Sequence, residues 1–168
     1  MRAIKLVRRF EPQNRLALLS GLAIVVLAGC SPSPEVATTA ANVSLQADGQ
    51  TGRWYSTAQA EEGQQLYGQY CAACHGPEAA STTAWKTPDA NGDYPPPPLD
   101  GSAHAWHHPL AVLERVIREG GGPMGGAMPA WGEVLNTEQR LAVIAGFQSY
   151  WTPQIYDLWL EREQASRE

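Results

Sequence analysis

Cys71-Ala72-Ala73-Cys74-His75 places two thiols three positions apart, with an imidazole directly after the second. Thiols at this spacing can each add across one vinyl group of a haem, forming two thioether bonds. The adjacent His is then held under the iron as its proximal ligand. Two other chemistries use C-x-x-C. A thioredoxin-type dithiol needs a βαβ context, and none is legible here. A zinc site needs a second ligand pair; no Cys follows Cys74, so only His104, His107 and His108 remain for that role. One covalent c-type haem per chain is the chemistry the run supports best.

An iron held this way needs a sixth ligand or keeps an open position. Gly125-Gly126-Ala127-Met128-Pro129-Ala130-Trp131 offers a thioether, a soft ligand that favours ferrous over ferric iron and raises the reduction potential. The glycines let the backbone pass close to a porphyrin edge, and Pro129 stiffens the loop beyond Met128. Met124, four residues earlier in the same loop, is the alternative ligand. The cluster His104, His107, His108 raises the question of a second metal, since its spacing would align all three on one helical face. Pro109 disfavours helix at His108, however. The expected roles are therefore smaller: His108 caps a helix, and Trp106 or His107 bonds a haem propionate. Most of the six tryptophans are expected in the core or against haem, with Trp85 in a polar loop open to a partner.

These side chains need elements to place them. A first helix is predicted after Ser56, where Ser56-x-x-Gln59 has capping-box form and Glu61 and Glu62 suit the positive end of the dipole. Leu66, Tyr67 and Tyr70 carry its apolar face into Cys71. A second runs from Pro109 to Glu119, with Pro at the first helical position, Leu110, Leu113, Val116 and Ile117 at helical spacing, and Gly120 as the stop. A third starts from Thr137 as N-cap and continues through Leu141, Val143, Ile144, Phe147 and Tyr150. Pro153 breaks it, and residues 153–165 form a short further helix with Ile155, Leu158 and Trp159 on one face. Nothing reads as a strand. The expected fold is mainly α, about three to five helices wrapped around one covalent haem. The long loops at 76–107 and 120–136 are tolerable because the cofactor replaces missing core.

Residues 1–29 read as a leader rather than as fold. Arg2, Lys5, Arg8, Arg9 and Arg15 form a basic region, followed by an apolar stretch from Leu16 to Leu27. That stretch is too short to span roughly 30 Å of hydrocarbon comfortably. Leu27-Ala28-Gly29-Cys30 resembles the lipobox of bacterial lipoproteins, a likeness that implies cleavage before Cys30 and lipid on its sulfur and amino group. Arg8-Arg9 departs from the twin-arginine export motif at Phe10-Glu11-Pro12. With Cys30 lipidated and Cys71 and Cys74 on haem, no thiol is left for a disulfide. Residues 30–52, rich in Ser, Pro, Ala, Thr and Gln, read as a flexible lipidated tether, and residues 53–168 as a single domain. Losing the leader takes Lys+Arg from 12 to 7 and Asp+Glu from 17 to 16, a net charge near −9. Such a surface argues against nucleic acid and suits a basic patch on a partner protein.

The chain resembles class I cytochromes c, the monohaem family with His/Met-ligated iron, over about residues 54–151. Gly63 and Tyr67 fit the G-x-x-x-aromatic pattern of that family's N-terminal helix, and Phe147 fits the aromatic of its C-terminal helix. Pro97-Pro98-Leu99-Asp100-Gly101 resembles the P-x-L-x-G segment. The likeness implies that the Pro97 carbonyl accepts from His75 Nδ1, and that Leu99 packs on the proximal haem face. Met128-Pro129-Ala130-Trp131 resembles the distal M-P-x-aromatic loop, with Trp131 at the haem. The mitochondrial ring of lysines is missing. Ala105-Trp106-His107-His108 resembles a bacterial subgroup.

The resemblance implies a membrane-tethered one-electron carrier between respiratory or other envelope redox proteins. It implies no catalytic residues and no small-molecule substrate. The expected location is the bacterial envelope, with the haem domain in the periplasm or on the outer surface. Ser31 after the lipidated Cys points to the outer membrane where the host has one. Two alternatives are weighed beside it. One is a haem enzyme with a labile distal position, peroxidase-like or substrate-oxidising. The other is a cytochrome subunit of a larger oxidoreductase, with Trp85 and the tail 153–168 as its interface.

Overall fold

A computed structural model describes residues 39–124 and 126–168; the leader, Cys30 and the stretch up to residue 38 lie outside the described residues. The described residues form α1 (Thr57–Tyr70), α2 (Ala72–His75), α3 (Leu110–Glu119), α4 (Thr137–Gln148) and α5 (Pro153–Ala165). Single 3-10 turns at Pro77–Ala79, Ala105–His107 and Gly122–Met124 punctuate the connections, and no strand occurs among the described residues. No helix among them is long and apolar enough to cross a membrane. The described residues are thus mainly helical.

Each of the four longer helices, α1, α3, α4 and α5, begins where a side chain accepts from an early backbone N–H. Ser56 Oγ accepts from Gln59 N at the head of α1. α4 starts with a reciprocal capping box between Asn136 and Gln139, so Asn136, not Thr137, is the N-cap. Asn simply outcompetes the following Thr as a short acceptor. α4 also stops at Gln148, two residues before Tyr150. α3 starts one residue later than predicted, and His108 does not cap it. The carboxylate of Glu163, buried on α5, accepts from Leu110 N at 2.6 Å. A remote acid thus does the work expected of a local residue, and it suits the positive helix end. On α5 the buried face is Tyr156, Trp159 and Glu163, whereas Leu158 is exposed. The buried carboxylate has rotated the face away from the apolar pattern.

α4 is the spine of the domain, buried at every position from Arg140 to Gln148. The one charge in that buried stretch, Arg140, is paired with Glu114 of α3 at 2.7 Å and also donates to Leu135 O and Thr137 Oγ1. Losing Glu114 would leave the buried Arg140 without its counter-charge. The far end of α4 is tied by Arg53, whose guanidinium donates to Gln148 O and to Trp151 O and lies over the Tyr156 ring. Trp54 Nε1 adds a bond to Gln148 Oε1. The last part of the expected tether is also held down. Ala40 is buried, and Arg167, itself fixed by Glu163, donates to Val43 O at 2.8 Å. From Thr39 onward, therefore, this stretch lies on the helical domain; its polar composition concealed the backbone carbonyls that Arg167 collects.

α1 packs most extensively on α4, and the crossing is backbone on backbone. A Cβ on Gly63 would sit 1.7 Å from Ala142 O, and one on Gly146 would sit 2.5 Å from Gly63 C. Gly68, on the same helix, has nothing within 4 Å of an added Cβ. Gly63→Ala should therefore destabilise the domain by about 3 kcal/mol or more, because backbone cannot move aside as a side chain does. Gly68→Ala should stabilise it by ~0.5–1 kcal/mol through helix propensity alone. Paired thermal melts check both signs.

Candidate functional site

α1 runs straight into the thiols. Cys71 is its C-cap, donating its N–H to Tyr67 O, and the next turn, α2, carries Cys74 and His75. Both sulfurs are free; Cys71 is half-buried and Cys74 exposed. Burial, and then the neighbouring Cys74 thiol, push the Cys71 thiol up to about 11, so it stays protonated at neutral pH. Tyr67 reaches over from α1 and donates its phenol to Gly76 O at 2.9 Å. Burial raises that phenol far above its usual range and keeps it a donor.

His75 is buried, and its Nδ1 lies 2.9 Å from Pro97 O. A carbonyl can only accept, so the proton sits on Nδ1 and the Nε2 lone pair is available to a metal. Burial lowers the imidazole pKa, partly opposed by the Pro97 bond. The ring is thus neutral at pH 7, with its lone pair in place. The carbonyl belongs to a run of four prolines, 95–98, which has acceptors but no N–H donors. A donor from elsewhere holds it, Ser81 Oγ to Pro96 O at 2.6 Å, and just beyond the run Leu99 N donates outward to Ala79 O at 2.8 Å. Trp151 Nε1 then bonds Leu99 O at 2.7 Å, tying the segment to the end of α4. Ser81 and Trp151 were missed by sequence reasoning, although a donorless proline run is itself a signal that outside donors are needed.

The loop carrying Met128 folds back on the end of α3. Gly121 N bonds Met128 O, while Trp131 N and Gly132 N satisfy the terminal carbonyls of Ile117 and Arg118. Gly120, at φ 77°, permits this return, since a Cβ there would meet Met128 O at 2.6 Å. The tight approach thus falls at Gly120, while Gly126 makes only ordinary contacts and Gly125 lies outside the described residues. Met128 is half-buried, and Trp131 packs on Tyr70 with ring centroids 5.3 Å apart. That contact brings the Met128 loop against the residue preceding Cys71. Met124 ends a 3-10 turn in the same loop.

The remaining candidates separate into two groups. Leu99 is half-buried against the core. Trp106 lies beneath the Arg162 guanidinium and close to the His107 ring. His104 stacks on Trp85 and meets His108 edge-on at 5.4 Å, so the three imidazoles do not share one face. His108 is extended, with ψ 128°, as the following proline requires.

The model of a known family matches residues 58–145, just over half of the chain; its description is cytochrome c oxidase, cbb3-type, subunit III. No curated protein and no solved structure matches. The chain belongs to this family of cytochrome c domains, and a haem-based electron-transfer role follows at that level. The donor set fits a haem: two free thiols one helical turn apart, an imidazole with its Nε2 lone pair available, and a thioether on a loop packed against the same helix end. Replacing Cys71 and Cys74 together with Ala should abolish covalent pigment. Acid–acetone extraction of denatured wild type should leave the colour on the polypeptide, and in the double variant it should leave none.

Proposed function

We propose, from membership of this cytochrome family, that the chain is a one-electron carrier tethered to a bacterial membrane through Cys30, with one c-type haem on Cys71 and Cys74. The observation that carries this reading is the His75 Nδ1 bond to Pro97 O, set in the turn that bears both thiols. It leaves the imidazole in the tautomer and orientation of a metal ligand and raises its basicity. Bound there, haem supplies a centre that takes up and returns one electron.

The chain's own residues do the rest. Cys71 and Cys74 are the thiols that would hold the haem through two thioether bonds, an attachment that would survive unfolding. His75, through Nε2, and Met128, through its thioether, are the side chains that would ligate the iron, and with both engaged the iron would be left without a place for a substrate. Leu99, Trp106 and Trp131, all half-buried and apolar, are the side chains that would keep water off the ring. The partners are envelope redox proteins with a basic docking patch. Outside the Glu114, Glu119 and Glu163 ion pairs most carboxylates of the described domain face solvent. Lipid on Cys30, with Ser31 after it, supports placement on the outer membrane where there is one.

The description of the family favours a second reading, a cytochrome subunit held permanently in a larger oxidase. Gentle detergent extraction distinguishes the two, since a carrier sediments alone and a subunit co-purifies at fixed stoichiometry. Met128→Ala should erase the long-wavelength sulfur-to-iron band of the ferric protein, lower its potential and admit carbon monoxide. Met124→Ala should leave the band intact. A wild type that lacks the band and binds carbon monoxide readily would favour a catalytic site instead.

Cys30→Ala should remove the acyl mass and release the mature chain from membranes, or leave its leader uncut. Intact mass and fractionation read this directly. A mature chain with a free thiol at its N-terminus would overturn the anchor.

A further inference from the structure

We propose that Ser81 is a positioning residue that tunes the proximal ligand from a distance, by fixing the register of the proline run against His75. The inference rests on the function proposed above.

The four prolines at 95–98 form a stiff segment with fixed φ and no donors of its own, so it cannot lock itself to its surroundings. Two side chains reach adjacent carbonyls of this run: Ser81 Oγ at Pro96 O, 2.6 Å, and His75 Nδ1 at Pro97 O, 2.9 Å. Because the run is stiff, moving one carbonyl moves the next, and the Ser81 bond therefore sets the length and angle of the His75 bond. Ser81 is itself pinned to the ligand, since its N–H donates to His75 O at 2.9 Å. The result is a closed ring: His75 backbone to Ser81, Ser81 hydroxyl to Pro96, and Pro97 back to the His75 imidazole.

Backbone strain marks the same place. Glu78, Ala79 and Ser81 have φ of 54°, 61° and 41°, all in the left-handed region that non-glycine residues seldom occupy. Such strain persists only when surrounding bonds over-determine it. Here those bonds are Ser81 Oγ to Pro96 O and Leu99 N to Ala79 O. The strained turn thus carries the hydroxyl to the proline run.

Ser81→Ala and Ser81→Gly both remove the hydroxyl, but only Gly relaxes at φ 41°. If the hydroxyl positions Pro97, both holoproteins should show the same rise in midpoint potential, because a weaker Nδ1 bond makes the imidazole a poorer donor to ferric iron. The His75 ring resonances should shift equally in both, while thermal stability differs between them. Unchanged potential and ring resonances would overturn the proposal, and so would a shift in one variant alone. Failure of either variant to attach pigment would also count against it, since a tuning contact acts on a ligand already tethered by two thioethers. A wild type without covalent pigment would instead defeat the function reading. Positioning then remains testable from side-chain 15N shifts of His75, with Nδ1–H in wild type and mixed tautomers in both variants. Nδ1–H retained in both would overturn it.

Discussion

The backbone contact between Gly63 and Gly146 is the constraint from which the rest of the domain is laid out. Helices that meet through side chains can shift relative to one another by changing rotamers; helices that meet carbonyl to Cα cannot. With α1 fixed against α4 in this way, the end of α1 has one position, and the turn bearing Cys74 and His75 follows from it. Tyr67, one turn after Gly63 on the buried face, then holds Gly76, and Tyr70 meets Trp131 from the opposite loop. The arrangement of sulfur, imidazole and thioether is inherited from a helix crossing some two turns away.

The proximal side obeys a second logic, one of supply and demand in hydrogen bonding. A tetraproline run offers carbonyls and nothing else, so everything that holds it must bring a donor. The imidazole and a hydroxyl do so within the run, and an indole holds the carbonyl of Leu99 just beyond it. Elsewhere the same economy appears with charge: Arg53, Arg140 and Arg167 spend their guanidinium groups on carbonyls, at the end of α4, at its start and along residues 40–43. Few cations are then left at the surface, and the acidic character of the chain is expressed outward.

Much of this was legible in the residues. The C-x-x-C-H run, the cap at Ser56, the apolar periodicity of α3 and the G-x-x-x-aromatic pattern are local signals, and local signals survive without knowledge of the fold. Gly63 was readable because its family pattern is known; Gly146, its counterpart, was not, since a lone glycine in a helix looks the same whether it meets a backbone or water. Glu163 shows the other kind of loss. Its carboxylate sits in a segment that reads as a polar face, and only the start of α3, fifty-three positions earlier, explains its burial. The missed N-cap at Asn136 was a matter of one residue between two adequate acceptors. Trp151 and Ser81 were hidden because their partners are main-chain carbonyls, which carry no signature in sequence.

Arg167 closes on Ala40 across 127 positions, and Arg53 closes on Trp151 across 98. Such pairs form late, because the loop between them must be gathered before any bond compensates for the lost freedom. In time, therefore, the chain is assembled from its middle outward and fastened last. While it emerges from synthesis, Cys71, Cys74 and His75 precede Gly146 by some seventy residues and stand open before the helix that packs on α1 exists. The same long-range closure that makes the finished domain rigid leaves an interval in which its thiols are reachable by whatever must modify them.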